Sequence, residues 1–204
     1  MKIDSRIIDL IAFFTFYALF YKLAGLFYFG EPTEIPFTTV DAFWTFNPHW
    51  ILIYVSSNFV LPLCYFLWFH KIRFDFLGSF AVLTITSCLI FIFYPTYIPR
   101  DEFMPDQMFI LYEWLFKAVH TADGVTNCLP SLHVSTAFFV AWWSWEVHRK
   151  YFSLFVIYAV LVSISTMTVK QHYFYDAMAG FFLSLFVVVA WKFFARRTGQ
   201  LSPQ

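Results

Sequence analysis

The chain has 204 residues, of which 60% are hydrophobic, 25% aromatic and only 13% charged, with a formal net charge of zero. A soluble domain carries charge at about a quarter of its positions because water must wet its surface; this chain has half that, and thirty Phe and eight Trp besides. The composition excludes an ordinary soluble domain, and the zero net charge argues against a nucleic-acid partner. Mean hydropathy is +0.65. Nothing in the chain marks a linker, repeat or low-complexity segment, so residues 1–204 read as a single transmembrane domain. Cys64 and Cys88 lie in apolar runs and Cys128 in a loop, a scatter that suggests neither a disulfide framework nor a zinc site.

Taken in order, six windows approach the roughly twenty apolar residues that a hydrocarbon core about 30 Å thick demands. They are Ile7–Phe29, Trp50–Phe69, Phe76–Tyr94, Leu132–Val147, Tyr151–Val169 and Tyr175–Phe194. The first is too long for the apolar part of a signal peptide and lacks a cleavage site after it. The fourth is short and ends on Glu146. The expected fold is therefore all-α, a polytopic bundle of six transmembrane helices. Outer segments Phe37–Trp50 and Phe109–Val119 are rich in aromatic residues. Each suits a short interfacial helix or, more simply, an aromatic belt.

Lys and Arg set the orientation, because cytoplasmic loops retain them. One set of ends holds Lys2, Arg6, Lys71, Arg73, Arg149, Lys150, Arg196 and Arg197; the other holds Arg100, Lys117 and Lys170. The first set is expected to be cytoplasmic, with both termini there, in a cell or inner membrane. Acidic residues including Asp41, Asp101, Glu102 and Asp123 gather at the opposite ends.

Ionisable groups at span ends are where function is sought in a membrane chain. Asn127-Cys128-Leu129-Pro130-Ser131-Leu132-His133 leads into the fourth window. Ser131 suits an N-cap, and His133 falls in the first turn, where free N–H groups and the helix dipole favour an anion. An ordinary capped helix with an interfacial histidine accounts for these residues equally well. The second cluster is Lys170-Gln171-His172-Tyr173-Phe174-Tyr175-Asp176. His172 and Asp176, four apart, share a helical face. A carboxylate on one imidazole nitrogen leaves the other free as a nucleophile or base; a merely stabilising pair is the plainer alternative. Together with Arg100, which follows Tyr94-Pro95-Thr96-Tyr97-Ile98-Pro99, both clusters fall on the outer side. Two histidines, a carboxylate, an N-cap serine and the cations Arg100 and Lys170 suit phosphoryl transfer, which rests on positioning and charge neutralisation.

These residues, Pro130-Ser131-Leu132-His133 and then His172-x-x-x-Asp176, resemble the motifs of the type 2 phosphatidic acid phosphatase superfamily over about residues 91–184. The resemblance implies six-helix membrane enzymes that act on lipid phosphates with no metal and no cofactor. It implies that His172 attacks phosphorus and becomes a phosphohistidine, that His133 protonates the leaving group, that Asp176 orients His172 and that Ser131 helps to hold the phosphate. The chain departs from the family pattern at three places. Phe93 stands where a Lys precedes the Arg, with Pro99 before Arg100 instead of Pro after it; Thr166 stands where an Arg follows Ser165; and Leu132 replaces a Gly. With two family cations missing, Lys170 is expected to join Arg100 and Ser131 at the phosphate. The run Ser165-Thr166-Met167, with His172 through Gly180, looks more like the inositol phosphorylceramide synthase branch, whose members transfer a phospho head group between lipids.

The expected activity is thus hydrolysis of a lipid phosphate or diphosphate at the extracytoplasmic face, with head-group transfer by the same residues as the alternative. A metalloenzyme built on His133, His172 and Asp176 leaves Arg100 and Lys170 without a role. A non-catalytic transporter has no need of the His172–Asp176 pair. The partners expected are a membrane lipid phosphate and the bilayer itself, with no protein partner implied. His49, His70, His120 and His148 read as solvated, Lys22 as snorkelling to the interface, and Trp142, Trp143 and Trp145 as packing or anchoring residues.

Overall fold

The computed structural model describes residues 4–105 and 107–197. It is a helical bundle whose long elements follow the apolar windows: α1 (Ser5–Leu26), then a five-residue α2 (Thr39–Phe43), α3 (Ile51–Leu67), α4 (Arg73–Phe93), α5 (Ile110–Ala122), α6 (Leu132–Val147), α7 (Phe152–Thr168) and α8 (Phe174–Arg197). Five helical segments are long and apolar enough to cross a membrane: Ser5–Leu26, Pro48–Leu67, Phe69–Phe93, Arg149–Thr168 and Phe174–Arg197. The chain is thus a multi-pass membrane protein by the length and composition of its helices. The fourth window of the expected six is α6, whose 16 residues extend only about 24 Å at 1.5 Å per residue. Five of the six expected spans therefore have the length and composition of a crossing.

The reason α6 is short is its place. It packs on α3, α7 and α8 and buries ten of its side chains, among them Phe138, Phe139 and Trp143. A helix enclosed by its neighbours satisfies its apolar surface on protein instead of lipid. Phe76, Phe80, Phe139 and Trp143 form the main core where α4 meets α6, and the Trp143 indole donates to Ser79 Oγ at 3.1 Å. α1 lies against α4 at the edge, with only Phe13 and Ala24 buried.

At one end of the bundle the connections are tied together. Thr33–Glu34 and Thr96–Tyr97 pair as two short parallel strands, β1 and β2, and Thr96 also bridges Asn127. The Leu129 N–H donates to Thr96 Oγ1 at 3.0 Å. Backbone groups buried in a loop must find such partners, and here the pairing draws the α4–α5 connection back over the bundle end. Arg100 is carried in with it, opening a short 3-10 turn at Arg100–Phe103. Both aromatic outer segments contain helix, α2 in the first and the 13-residue α5 in the second.

Candidate active site

His172 is reached through the turn between α7 and α8. α7 ends with Lys170 in the left-handed region, φ 55°, and with paired bonds from the Lys170 N–H to the Met167 carbonyl and from the Gln171 N–H to the Thr166 carbonyl. This is the Schellman closure, which usually takes glycine at the left-handed position. The lysine side chain explains the exception. Its ammonium donates to the carbonyl oxygens of Asp41, at 2.9 Å, and Trp44, at 2.5 Å, and lies 5.4 Å from the ring centres of Phe37 and Phe103. Burial pulls the Lys170 pKa below its ordinary value, against the opposing pull of Asp41. Sequence spacing suggested a point charge at the phosphate; the structure directs this ammonium to α2 instead.

Asp41 is the other half of that junction. It closes a capping box with Thr38 at the start of α2, and its Oδ1 accepts from the Phe174 N–H at 2.7 Å. Asp176 in the first turn of α8 accepts from the Tyr173 N–H through Oδ2 at 2.9 Å. Two carboxylates therefore sit at the start of α8, where the dipole favours them. His172 Nδ1 stands 3.4 Å from Asp176 Oδ2, with both side chains almost wholly buried. The two residues do meet, but with His172 in the turn ahead of α8 and not on a shared helical face, and Nδ1 is the nitrogen nearer the carboxylate.

Ser131 is the N-cap of α6, accepting from the Val134 N–H at 3.4 Å, and a cis peptide bond joins Leu129 to Pro130 just before it. The Ser131 N–H donates to the Asp176 carbonyl at 3.0 Å, so the starts of α6 and α8 are bonded directly. Gly180, one turn further along α8, makes the approach possible: a Cβ there would lie 2.6 Å from the Ser131 carbonyl oxygen. This contact brings the two histidines together, their ring centres 6.0 Å apart. His133 also lies against the Tyr54 ring at 4.2 Å.

Arg100 Nη2 donates to Cys128 Sγ at 3.6 Å. Burial pushes the Cys128 thiol up to about 11, so Arg100 faces a neutral thiol, and among the described residues it makes no ion pair. Beside it a cleft of about 520 Å³ is lined by Tyr97, Arg100, Asp101, Glu102, His120 and Val125. His120 is half-buried and not freely solvated; its Nε2 accepts from the Gln171 amide at 3.0 Å. Burial, and then Arg100, lowers its pKa, in keeping with a neutral ring that accepts.

All six expected residues thus lie at one end of the bundle, His133, His172, Asp176, Ser131 and Arg100 with Lys170, whose ammonium is bonded to α2. Three residues at this end were not marked by spacing: Tyr54, Asp123 and Asp41. Asp123 carried a weak signal, an acid beside Gly124 just ahead of the Asn127 cluster. Tyr54 carried none, being one of twelve tyrosines in an apolar chain. Lys22 donates to the Ala122 carbonyl at 2.7 Å.

The fold and this cluster define a multi-pass helical membrane protein with a paired-histidine, carboxylate and arginine site. Residues 44–191 match the family model of the PAP2 superfamily, more than half of the chain, and the protein belongs to that superfamily, which in general comprises phosphatases. A PA-phosphatase related-family protein of Dictyostelium discoideum is 29% identical over 75 residues, covering 37% of this chain and 14% of that relative. The matched stretch is thus a small part of the relative's length. No solved structure matches the chain.

Proposed function

We propose that this protein is a lipid phosphatase that hydrolyses a membrane lipid phosphate or diphosphate at the extracytoplasmic face through a phosphohistidine intermediate. The observation that carries this reading is the His172 Nδ1–Asp176 Oδ2 approach at 3.4 Å with the His133 ring 6.0 Å from His172. Membership of a family of phosphatases supports it. In this reading His172 Nε2 attacks phosphorus, Asp176 holds the ring, and His133 protonates the departing oxygen. Arg100 and the N–H groups at the start of α6, set by Ser131, hold the phosphoryl oxygens. Lys170 acts at a distance, by fastening α2 to the turn that bears His172.

A second reading, transfer of a phospho head group to a lipid hydroxyl, is favoured by one feature, a cleft beside Arg100 roomier than a phosphate alone requires. The two differ in which hydroxyl reaches the phosphoenzyme. Purified protein offered a panel of lipid phosphates, with both free phosphate and new lipid products scored, separates them. Side-chain cations take the part that Mg²⁺ takes in kinases, so full activity is expected after exhaustive chelation. Loss of activity that returns with Zn²⁺ or Fe²⁺ would refute this mechanism.

The same reading takes α6 as a sixth crossing and places both termini in the cytoplasm, on the distribution of Lys and Arg. A cysteine introduced at Gly124 is expected to react with an impermeant thiol reagent in intact cells, and one at Arg149 to be protected. The opposite pattern would invert the orientation.

A further inference from the structure

His172 has a carboxylate at its back, and a second carboxylate is linked to the His133 ring through one tyrosine. Asp123 follows the last residue of α5, its N–H closing the helix on the Val119 carbonyl at 2.8 Å. That end of α5 is anchored from two other helices. Lys22 of α1 donates to the Ala122 carbonyl, as suits a cation at a helix C-terminus. The neighbouring Tyr21 hydroxyl accepts from the Gly124 N–H at 3.2 Å. Tyr54 of α3 donates its hydroxyl to Asp123 Oδ2 at 2.6 Å. Tyr54 is fully buried, so packing sets where that hydroxyl points, and its ring is the one that lies 4.2 Å from His133. Tyr54 thus touches Asp123 through its hydroxyl and His133 through its ring.

An acid beside an anion site needs a reason, because it opposes the binding of phosphate. The charges around His133 supply one. Cations gathered at a phosphate site disfavour a positive imidazole, yet a general acid must carry its proton when the leaving oxygen needs it. A carboxylate held at Tyr54 offsets the arginine.

We propose that Asp123, gripped by Tyr54, is a positioning residue that works through His133, supporting its protonated form so that each histidine of the site has its own carboxylate. The inference rests on the phosphoryl-transfer reading above. In the first step the His172 Nε2 lone pair forms the N–P bond as the P–O bond to the leaving group breaks. The leaving oxygen takes the electron pair and the His133 proton. In the second step water or an acceptor hydroxyl attacks phosphorus, its proton passes to His133, and the N–P bond breaks back onto His172. Asp123 keeps its charge throughout.

Leaving-group dependence tests this without relying on folded yield. A long-chain alkyl phosphate needs a proton on its departing oxygen, whereas 4-nitrophenyl phosphate releases a stable anion. Asp123→Asn is expected to lower kcat/KM on the alkyl phosphate by about tenfold or more, and Tyr54→Phe by less. Both should show a much smaller loss on 4-nitrophenyl phosphate. Equal losses on the two substrates, or no loss on either, would overturn the inference while leaving the phosphatase reading intact. Wild-type protein inactive on both would overturn the two together.

Discussion

His172→Ala is expected to abolish turnover, a loss of roughly 10⁴-fold or more that corresponds to over about 5 kcal/mol of transition-state stabilisation, while the bundle still folds. The size follows from the role. A nucleophile that forms the covalent intermediate has no stand-in, and water attacking directly would meet a site arranged for an imidazole. The fold should survive because the backbone of this turn is held by other groups. The His172 N–H bonds to the Thr166 carbonyl, Lys170 ties the turn to α2, and Asp176 keeps its bond from the Tyr173 N–H. Parallel measurement of turnover and of thermal unfolding in detergent checks both halves. An active His172→Ala protein would eliminate the mechanism.

Arg100→Lys is expected to cost about 2–3 kcal/mol, or on the order of a hundredfold in rate. A phosphoryl group in transfer spreads charge over three oxygens, and a guanidinium can hold two of them in a planar fork where an ammonium offers a point charge. The geometry adds weight to this change. The strand pairing at Thr96–Tyr97 holds the Arg100 loop over the bundle end, and with Lys170 bonded to α2, Arg100 is the cation that remains beside the histidines. The competing role is an anchor for lipid head groups, for which either cation serves. Steady-state kinetics on a lipid phosphate decide, since near-wild-type values for Arg100→Lys would leave only the anchor.

Much of this protein is legible in one dimension because a bilayer imposes simple conditions. Apolar runs of nearly fixed length must become helices, as no other open structure satisfies the backbone in hydrocarbon. The long helices accordingly follow the windows read from composition, α4 and α8 each extending a few polar residues beyond theirs. The His172–Asp176 pair was legible because the two residues are close in the chain, although His172 lies in the turn ahead of α8 and not on the helical face expected of it. The N-cap at Ser131 is local too.

Long-range partners decided the rest. Lys170 and Arg100 both lie at the end of the bundle that carries the histidines, and no periodicity distinguishes them; 129 residues separate Lys170 from Asp41, whose carbonyl it bonds. Tyr54 meets Asp123 across 69 residues. Gly180 matters only because another helix's backbone passes beside it. The sequence by itself determined the helical class, the apolar segments and the His–Asp pair, because these follow from burial and from neighbours a few residues apart. The tertiary structure alone decided that Lys170 bonds α2, that Tyr54 meets both Asp123 and His133 and that α6 is enclosed by its neighbours, because each depends on contacts between segments that are distant in the chain.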